Sequence, residues 1–362
     1  MGNKVNVVSL FSGIGGFEKG LEDSNLEFNI VFASEIDKYA KETYSANFQI
    51  KTMHGDIKQI NEKDVPNHDL LCGGFPCQSF SVAGKQEGFG DLRGTLFFDI
   101  IRIIREKKPR YILLENVKNL ISHDKAKTIQ VILKNISDCG YTFDITVINS
   151  HEAGLPQNRE RTYIVGVLNH ETEKFETDKR NKKINEIKTW ANQKKLKTMN
   201  FFNNIKFESN HQHILDVLEN NVDEKYYLNS EKVREYLNKI NEKTFKAKLE
   251  NRIVKEFDLP KEVHNDLERQ RRVYSPKGIS PTLLARSDMP KIIVKENGEY
   301  RIRKITPYES LKIQGFDSKF VNNARKKQVS DTQLYKQAGN AVSPPVITKI
   351  VNSLKEQFHD EI

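Results

Sequence analysis

The sequence predicts an α/β fold, a doubly wound sheet whose faces are covered by helices. Over the first 168 residues, short apolar segments alternate with helical ones, the pattern of parallel strands joined by crossover helices. The apolar segments are nearly continuous, as in strands that are buried on both faces. Glycines or acidic residues follow several of them, which indicates the sheet edge where ligands bind.

Each element has a local justification. VNVVSLF is apolar and leads into the turn SGIGG, so it predicts the first strand and the start of the first helix. Asp37 predicts a helix N-cap, and Pro109 ends an amphipathic helix. The predicted strands span 5–11, 29–36, 68–74, 110–117, 141–150 and 161–168. The predicted helices span 16–24, 37–48, 95–109 and 124–138, with one more at the C-terminus.

Composition restricts the class of protein. The 362 residues include 58 Lys and Arg against 49 Asp and Glu, and this net charge of +9 favours a polyanionic partner. Three cysteines argue against a disulfide framework, and without a second Cys or His pair at ligand spacing we expect no metal. Because no apolar run approaches the ~18 residues of a membrane helix and no secretory signal is recognised, we expect a cytoplasmic protein without a membrane partner.

The turn after the first strand has the composition of a cofactor site. Phe11 and Ser12 lead into a segment rich in glycine, and Glu35 closes the second predicted strand. Glycines let the backbone approach a ligand, and an acid at the next strand end accepts hydrogen bonds from ribose hydroxyls. Asp56 adds a second acid at the same edge. These residues indicate an adenosine-type cofactor, although a tight turn without a ligand is the alternative.

Cys77 is the candidate nucleophile. It follows the third long strand in the segment GGFPCQSFS, on a backbone fixed by Pro76, where a thiol faces a crevice. Proximity to a helix N-terminus or a cation raises the thiolate fraction of such a cysteine. Cys72 and Cys139, by contrast, are interpreted as small packed residues.

Charged residues at two other strand ends accompany Cys77. Glu115 lies within the strand segment YILLENV. Burying a carboxylate there costs free energy, which indicates that the residue has a functional role. Arg159 and Arg161 precede the strand TYIVGV, and alternation along a strand predicts that both project to one side. Two arginines there either bind an anion or a polarised carbonyl group, or are ordinary surface charges.

Together these segments resemble the cytosine-5 DNA methyltransferase family of the bacterial or phage restriction-modification type. The resemblance covers nearly the whole chain in the family's order and is carried by LFSGIGGFEKGL, SEIDKYA, GDI, GGFPCQSFS, ENV, QNRERTYIVGV, RRVYSPKGISPTLLA and AGNAVSPPV. It implies a Rossmann-like doubly wound mixed sheet of the S-adenosylmethionine-dependent methyltransferase fold. It also implies methyl transfer to carbon 5 of a cytosine flipped out of double-stranded DNA.

The resemblance assigns chemical roles. Cys77 would add to carbon 6 of the ring, which makes carbon 5 nucleophilic, and a protonated Glu115 would act at ring nitrogen 3. Arg161, with Arg159 alongside, would stabilise the carbonyl group and the anionic species. The glycine-rich segment 78–96 would be a lid over the DNA. Residues expected near the target base are Gln78, Ser81 and Asn116.

The resemblance also implies the cofactor S-adenosyl-L-methionine, the product S-adenosyl-L-homocysteine and no metal. Phe11 would contact adenine, Glu35 the ribose and Asp56 the adenine amino group. The implied cofactor site consists of Phe11, Ser12, Gly13, Gly15, Gly16, Glu35, Ile36, Asp56, Ile57, Pro76, Leu96 and Asn340.

Domain organisation follows from the same resemblance. Residues 1–168 plus 328–362 would form the catalytic domain, and 169–327 a DNA target-recognition domain whose Lys and Arg meet phosphates. We expect a monomer, with a cognate restriction endonuclease as genetic partner. The alternatives are a tRNA cytosine-5 methyltransferase of the same family and a catalytically silent DNA-binding regulator. A nicotinamide oxidoreductase is disfavoured by the glycine spacing.

Overall fold

A computed structural model describes residues 4–76, 96–176, 181–207, 211–240, 245 and 248–358. The chain divides into two compact units, each with its own sheet. The first unit comprises Met1–Ile148, Glu160–Phe207 and Val346–Ile362. The second comprises Asn149–Arg159 and Glu208–Pro345.

The first unit is built on a mixed sheet, which within the described ranges has seven strands in the order β3-β2-β1-β4-β5-β7-β6. Strands β1 to β5 are parallel to one another, whereas β7 is antiparallel to β5. The strand bounds are β1 Val5–Leu10, β2 Phe28–Ser34, β3 Met53–His54, β4 Leu70–Gly74, β5 Tyr111–Val117, β6 Tyr141–Asn149 and β7 Glu160–Leu168. The predicted doubly wound α/β sheet is confirmed. Of its seven described strands, β3 alone was not predicted, because a strand of two residues shows no periodicity in the sequence.

The helices agree with the predicted positions where a prediction was made. Asp37 caps its helix, since its carboxylate accepts the backbone N–H groups of Tyr39 and Ala40 at 2.9 and 3.1 Å. In chain order the described helices are α1 Gly16–Glu22, α2 Lys38–Asn47, α3 Leu96–Lys107, α4 Lys127–Asp138, α5 Lys182–Gln193, α6 Glu231–Lys239, α7 Pro307–Ile313, α8 Ser318–Lys326, α9 Asp331–Asn340 and α10 Pro344–Gln357.

The core of the first unit forms where apolar faces of helices cover the central strands. Ile100 and Ile104 of α3, four residues apart on one helical face, are fully buried in the same cluster as Leu71 of β4 and Ile112 of β5. Cys72 is 1% exposed in β4, which confirms its interpretation as a packed residue. The rigid central strands therefore fix the positions of the loops that follow them.

The compact units differ from the predicted domain boundaries at 149–159, 169–207 and 328–345. In the first unit, Lys188 of α5 forms a buried ion pair of 2.8 Å with Asp144 of β6. The Asp144 carboxylate also accepts the backbone N–H of Phe202 at 2.8 Å. These contacts attach the segment up to Phe207 to β6, although its composition resembles that of the residues after it.

The second unit contains a smaller sheet of order β11-β10-β9-β8 in the described part of the chain. Its strands are β8 Lys255–Asp258, β9 Arg272–Tyr274, β10 Lys291–Glu296 and β11 Glu299–Lys304. A buried ion pair of Arg303 and Glu309, 2.7 Å apart, connects β11 to α7. Neither this unit nor the first contains, among the described residues, a helix long and apolar enough to cross a membrane.

Candidate active site

Four loops of the first unit leave the same edge of the sheet. Because β1, β2, β4 and β5 are parallel, the residues after their carboxyl ends lie at one edge. The strand order reverses direction at β1, which lies between β2 and β4. Ligands bind at such a reversal in doubly wound sheets, so the loops after β1 and β4 are where a cofactor is expected.

The loop after β1 is a tight glycine turn. Phe11, Gly13 and Gly15 all have positive φ values, of 55°, 57° and 94°. A Cβ on Gly15 would lie 2.1 Å from the Phe48 ring, so a side chain cannot replace this glycine without rearrangement. By contrast, a Cβ on Gly13 would meet nothing within 4 Å. The backbone at Gly13 is therefore open to a ligand.

The neighbouring predicted site residues support this turn. The buried Ser12 hydroxyl donates to the carbonyl oxygens of Ser9 and Ser34 at 3.1 and 3.2 Å, which joins the ends of β1 and β2. Gly16 is buried and begins α1. Phe11 is half-buried against the core.

Glu35 lies directly beside the glycine turn. One carboxylate oxygen accepts the backbone N–H of Gly13 at 2.9 Å, and the other accepts the N–H groups of Ile36 and Asp37 at 2.8 Å each. A carboxylate has about four acceptor sites, so capacity remains for a ligand hydroxyl. The structure thus brings together two predicted parts of the cofactor site that are 22 residues apart in sequence.

The other predicted cofactor residues have differing surroundings. The Ile36 side chain is 73% exposed, an unusual state for an isoleucine. Asp56 is half-buried, and its carboxylate accepts the N–H of Lys58 at 3.0 Å. The Ile57 side chain is buried in the core, 2% exposed. Two residues flank the undescribed part of the site: Pro76 is exposed, and the half-buried Leu96 begins α3.

Glu115 and Arg161 meet at the end of β5. Val117 pairs with Arg161 across the antiparallel β5 and β7, and Glu115 lies two residues before Val117 on the same face. This diagonal arrangement places Arg161 Nε 3.2 Å from Glu115 Oε1, with both side chains mostly buried. A close contact of this kind between a guanidinium and a carboxyl group fixes the orientation of both groups. Glu115 also lies opposite Gly74, the last residue of β4.

Asn116 points to the other face of β5. Its buried side chain donates from Nδ2 to the carbonyl oxygen of Phe75 at 2.8 Å. Phe75 is two residues before Cys77. The amide of Asn116 therefore fixes the backbone that leads to the predicted nucleophile. Cys77, Gln78 and Ser81, together with the predicted lid except Leu96, lie outside the described residues.

Arg159 does not share the surroundings of Arg161. Strand β7 begins at Glu160, so the alternation that predicted a common side does not extend back to Arg159. Arg159 belongs to the second unit, where its guanidinium donates to the carbonyl oxygens of Gly339 and Ala341 at 3.0 and 2.9 Å. Its backbone N–H is bound by Asn149 Oδ1 at 3.0 Å. Asn340 is the exposed last residue of α9 in the same unit.

Sequence reasoning missed two buried polar residues. Gln157 is fully buried in the second unit and accepts the N–H of Leu283 at 3.0 Å. Glu18, in α1, is fully buried in the first unit. A signal for Glu18 existed, because it lies between the apolar residues Ile14 and Leu21 on one helical face. Within the described ranges, no group of three or more His, Cys, Asp or Glu side chains is placed to hold a metal ion.

Comparison with known proteins gives consistent matches. The family model of C-5 cytosine-specific DNA methylases matches residues 5–356. Type II methyltransferase M.SsoII of Shigella sonnei is 39% identical over 363 residues, which cover 97% of this chain and 80% of that protein. Type II methyltransferase M.NlaX of Neisseria lactamica is 38% identical, and the alignment covers 96% of each chain. The orphan methyltransferase M.SPRI of Bacillus phage SPR is 32% identical, and the alignment covers 99% of this chain and 98% of that protein.

Solved structures share the fold. A methyltransferase from Entamoeba histolytica superposes with a TM-score of 0.68 and 19% identity over 99% of each chain. The Dnmt2 methyltransferase of S. pombe gives a TM-score of 0.67 at 20% identity, over 98% of this chain and 99% of that one. At these identities the likeness shows the α/β methyltransferase fold.

Proposed function

The chain belongs to the C-5 cytosine-specific DNA methylase family and is a DNA (cytosine-5) methyltransferase, and from this premise we propose how its sheet edge carries out the reaction. The observation that carries the proposal is the contact of Glu115 with Arg161 at the end of β5, opposite the end of β4. Strand β4 leads within three residues to Cys77. The three groups that the chemistry needs therefore belong to neighbouring strand ends.

S-adenosylmethionine is the proposed methyl donor, and the residues at the glycine turn fit it. The open backbone at Gly13 admits the amino acid end, and the Glu35 carboxylate retains acceptor capacity for the ribose. The exposed Ile36 offers an apolar surface to the adenine ring. Asp56 is proposed to bind the adenine amino group. When bound, S-adenosylmethionine supplies an electrophilic methyl group on a positively charged sulfur.

In the proposed reaction, Cys77 activates the base covalently. Its thiolate forms a bond to carbon 6, and the electrons of the ring shift toward nitrogen 3, which takes a proton from Glu115. Arg161 orients Glu115 and stabilises the ring carbonyl. Carbon 5 is then electron-rich, and S-adenosylmethionine held at the glycine turn would supply its methyl group there, with S-adenosylhomocysteine as the leaving group. Loss of the carbon 5 proton to a base and return of the nitrogen 3 proton to Glu115 restore the aromatic ring as Cys77 leaves as thiolate.

DNA recognition is proposed for the second unit. The basic stretch 269–287 lies there, and cations of this kind contact phosphates. A cytosine within a duplex cannot reach Cys77, so the base must leave the stack.

We also propose that the protein is the modification half of a restriction-modification system. Its relatives that are Type II methyltransferases support this role. The same relatives favour DNA over tRNA as the substrate.

Bisulfite sequencing tests this function. DNA from a host that lacks cytosine methylation, but expresses the protein, is expected to show protected cytosines within one short sequence. Cys77→Ser is expected to lose this protection. Cys139→Ser is the matched control, because Cys139 is a half-buried residue at the end of α4, and it should retain protection. Absence of protected cytosines with folded wild-type protein would contradict the proposal.

A further inference from the structure

A polar cleft in the second unit is lined by more cations than acids. Its lining includes the side chains of Arg269, Arg272 and Lys291 but, within the described part of the chain, one carboxylate, that of Asp288. All four residues belong to the second unit. The cleft therefore carries an excess of positive charge, and the reaction proposed above assigns it no particular contact.

Lys291 is the most deeply buried of the three cations. It is 3% exposed, whereas Arg272 is half-buried and Arg269 is exposed. The ammonium group of Lys291 donates to the backbone carbonyl oxygen of Gln270, another residue that lines the cleft. An ammonium group has three donors, so this contact leaves capacity for a ligand.

No carboxylate of the described residues forms an ion pair with Lys291. The acids whose charges act on it are Asp266 and Asp288, while Lys304 adds a further positive charge. Asp288 is engaged elsewhere, because its carboxylate accepts Nε2 of Gln270 at 2.7 Å. Burial lowers the pKa of Lys291. A buried cation of this kind is stabilised by any anion that enters the space beside it.

The two small strands hold the cations in place before a ligand binds. Arg272 begins β9 and Lys291 begins β10, and in this parallel pair Lys291 lies opposite Val273, the residue after Arg272. Guanidinium groups match the geometry of a phosphate, and a lysine adds a point charge. Of the ligands that the proposed function requires, the DNA backbone is the one that presents a row of phosphates.

We propose that this cleft binds one phosphate group of the DNA backbone, with the buried Lys291 and the more exposed Arg269 and Arg272 as its cations. The inference rests on the proposed function, because the phosphate belongs to the DNA that is methylated. Lys291 lies outside the basic stretch 269–287, so the contact extends the DNA surface of the second unit to β10. Such a contact fixes the register of the backbone and does not read sequence.

The test measures the salt dependence of DNA binding by fluorescence anisotropy. The probes are a short duplex with the methylated sequence and a duplex of equal length with that sequence scrambled. Each phosphate contact adds about 0.9 to the slope of the logarithm of the binding constant against that of the salt concentration. Lys291→Met is expected to reduce this slope by about 0.9 and to bind both duplexes about tenfold more weakly. The ratio of the two binding constants should remain that of wild-type protein.

Lys225→Gln is the matched control. Lys225 also belongs to the second unit, but its Nζ lies 2.9 Å from Asp331 Oδ2, so its charge is already paired. This variant should keep the wild-type slope. If Lys291→Met does not fold, Arg269→Gln replaces it, because the exposed Arg269 lines the same cleft and its loss should also reduce the slope by about 0.9.

Three outcomes overturn the inference. One is an unchanged slope in the cleft variant, and another is an equal loss of slope in Lys225→Gln. The third is weaker binding of the methylated sequence alone, which would make Lys291 a base-reading residue.

Two further measurements separate related explanations. Calorimetry with inorganic phosphate and no DNA is expected to show no binding that Lys291→Met removes. Such binding, together with an unchanged DNA slope, would identify free phosphate as the ligand and contradict the inference. If wild-type protein neither binds nor methylates DNA, the proposed function itself is wrong. Methylation by wild-type protein with an unchanged slope in Lys291→Met would contradict only the phosphate site.

Discussion

Three glutamates of the first unit show how surroundings give one residue type different properties. Glu35 accepts three backbone N–H groups, which holds it in place with capacity for a further donor. Glu115 is paired with the guanidinium of Arg161. Glu18 is buried without a cation among the described residues. The three carboxyl groups therefore have different partners, and the roles proposed for Glu35 and Glu115 differ accordingly.

Glu18 is expected to make folding stability depend on pH. Its pKa is about 7 in the folded protein against an ordinary value of 4.5, so between these values the folded state holds a proton that the unfolded state has released. The stability that Glu18 contributes below pH ~4.5 is therefore lost as the pH rises to about 7, on the order of 3 kcal/mol.

Urea unfolding at pH 5 and pH 8 measures this effect. The free energy of unfolding of Glu18→Gln should fall less over this range than that of wild-type protein. An equal fall in both proteins would show that Glu18 is not the group responsible.

At the scale of elements, β5 positions the reacting groups by alternation. Glu115 faces Arg161 on one side of the strand, and Asn116 reaches Phe75 on the other. A single strand therefore orients the proposed acid and also fixes the backbone that precedes Cys77.

Asn116→Ala tests the second of these roles. The change leaves the carbonyl oxygen of Phe75 without its Asn116 donor, at a cost of about 1–3 kcal/mol, which loosens the segment leading to Cys77. We expect single-turnover methyl transfer to slow about tenfold or more, since 1.4 kcal/mol corresponds to a factor of ten. The dissociation constant for S-adenosylmethionine should be unchanged.

The matched control is Asn135→Ala. Asn135 Nδ2 donates to the carbonyl oxygen of Val131 at 2.9 Å within α4, and the residue is half-buried. This variant should keep the wild-type rate. If Asn116→Ala also keeps that rate, Asn116 does not position the nucleophile segment.

The elements also show which features the sequence could predict. The glycine turn, Glu35 and the end of β5 follow from local patterns, and the structure places each at the predicted sheet edge. The position of Arg159 did not follow from a local pattern. Its backbone N–H is bound by Asn149, ten residues away. Strand β7 begins at Glu160, so Arg159 lies outside the strand whose alternation was used to predict its direction. The hydrogen bond between Glu18 and Tyr44, 26 residues away, did not follow either, because no local pattern encodes such a contact.

At the scale of the whole molecule, the compact units differ from the domain boundaries that composition and the resemblance predict. Residues 169–270 are uniformly rich in Lys, Asn and Glu, which suggested one domain. Lys188 is nevertheless buried against Asp144 and attaches α5 to the first unit. A buried lysine cannot be distinguished from a solvated one by composition, so the boundary near Phe207 required the structure.

The central claim for the whole enzyme is that the sulfur of Cys77 bonds to the target base during methyl transfer. Duplex DNA carrying 5-fluorocytosine in the methylated sequence tests it, because fluorine at carbon 5 cannot be lost in place of the proton. With S-adenosylmethionine, wild-type protein should form a covalent complex that survives a denaturing gel, and Cys77→Ser should form none. An active enzyme that forms no such complex, or a complex that persists in Cys77→Ser, would contradict the covalent mechanism.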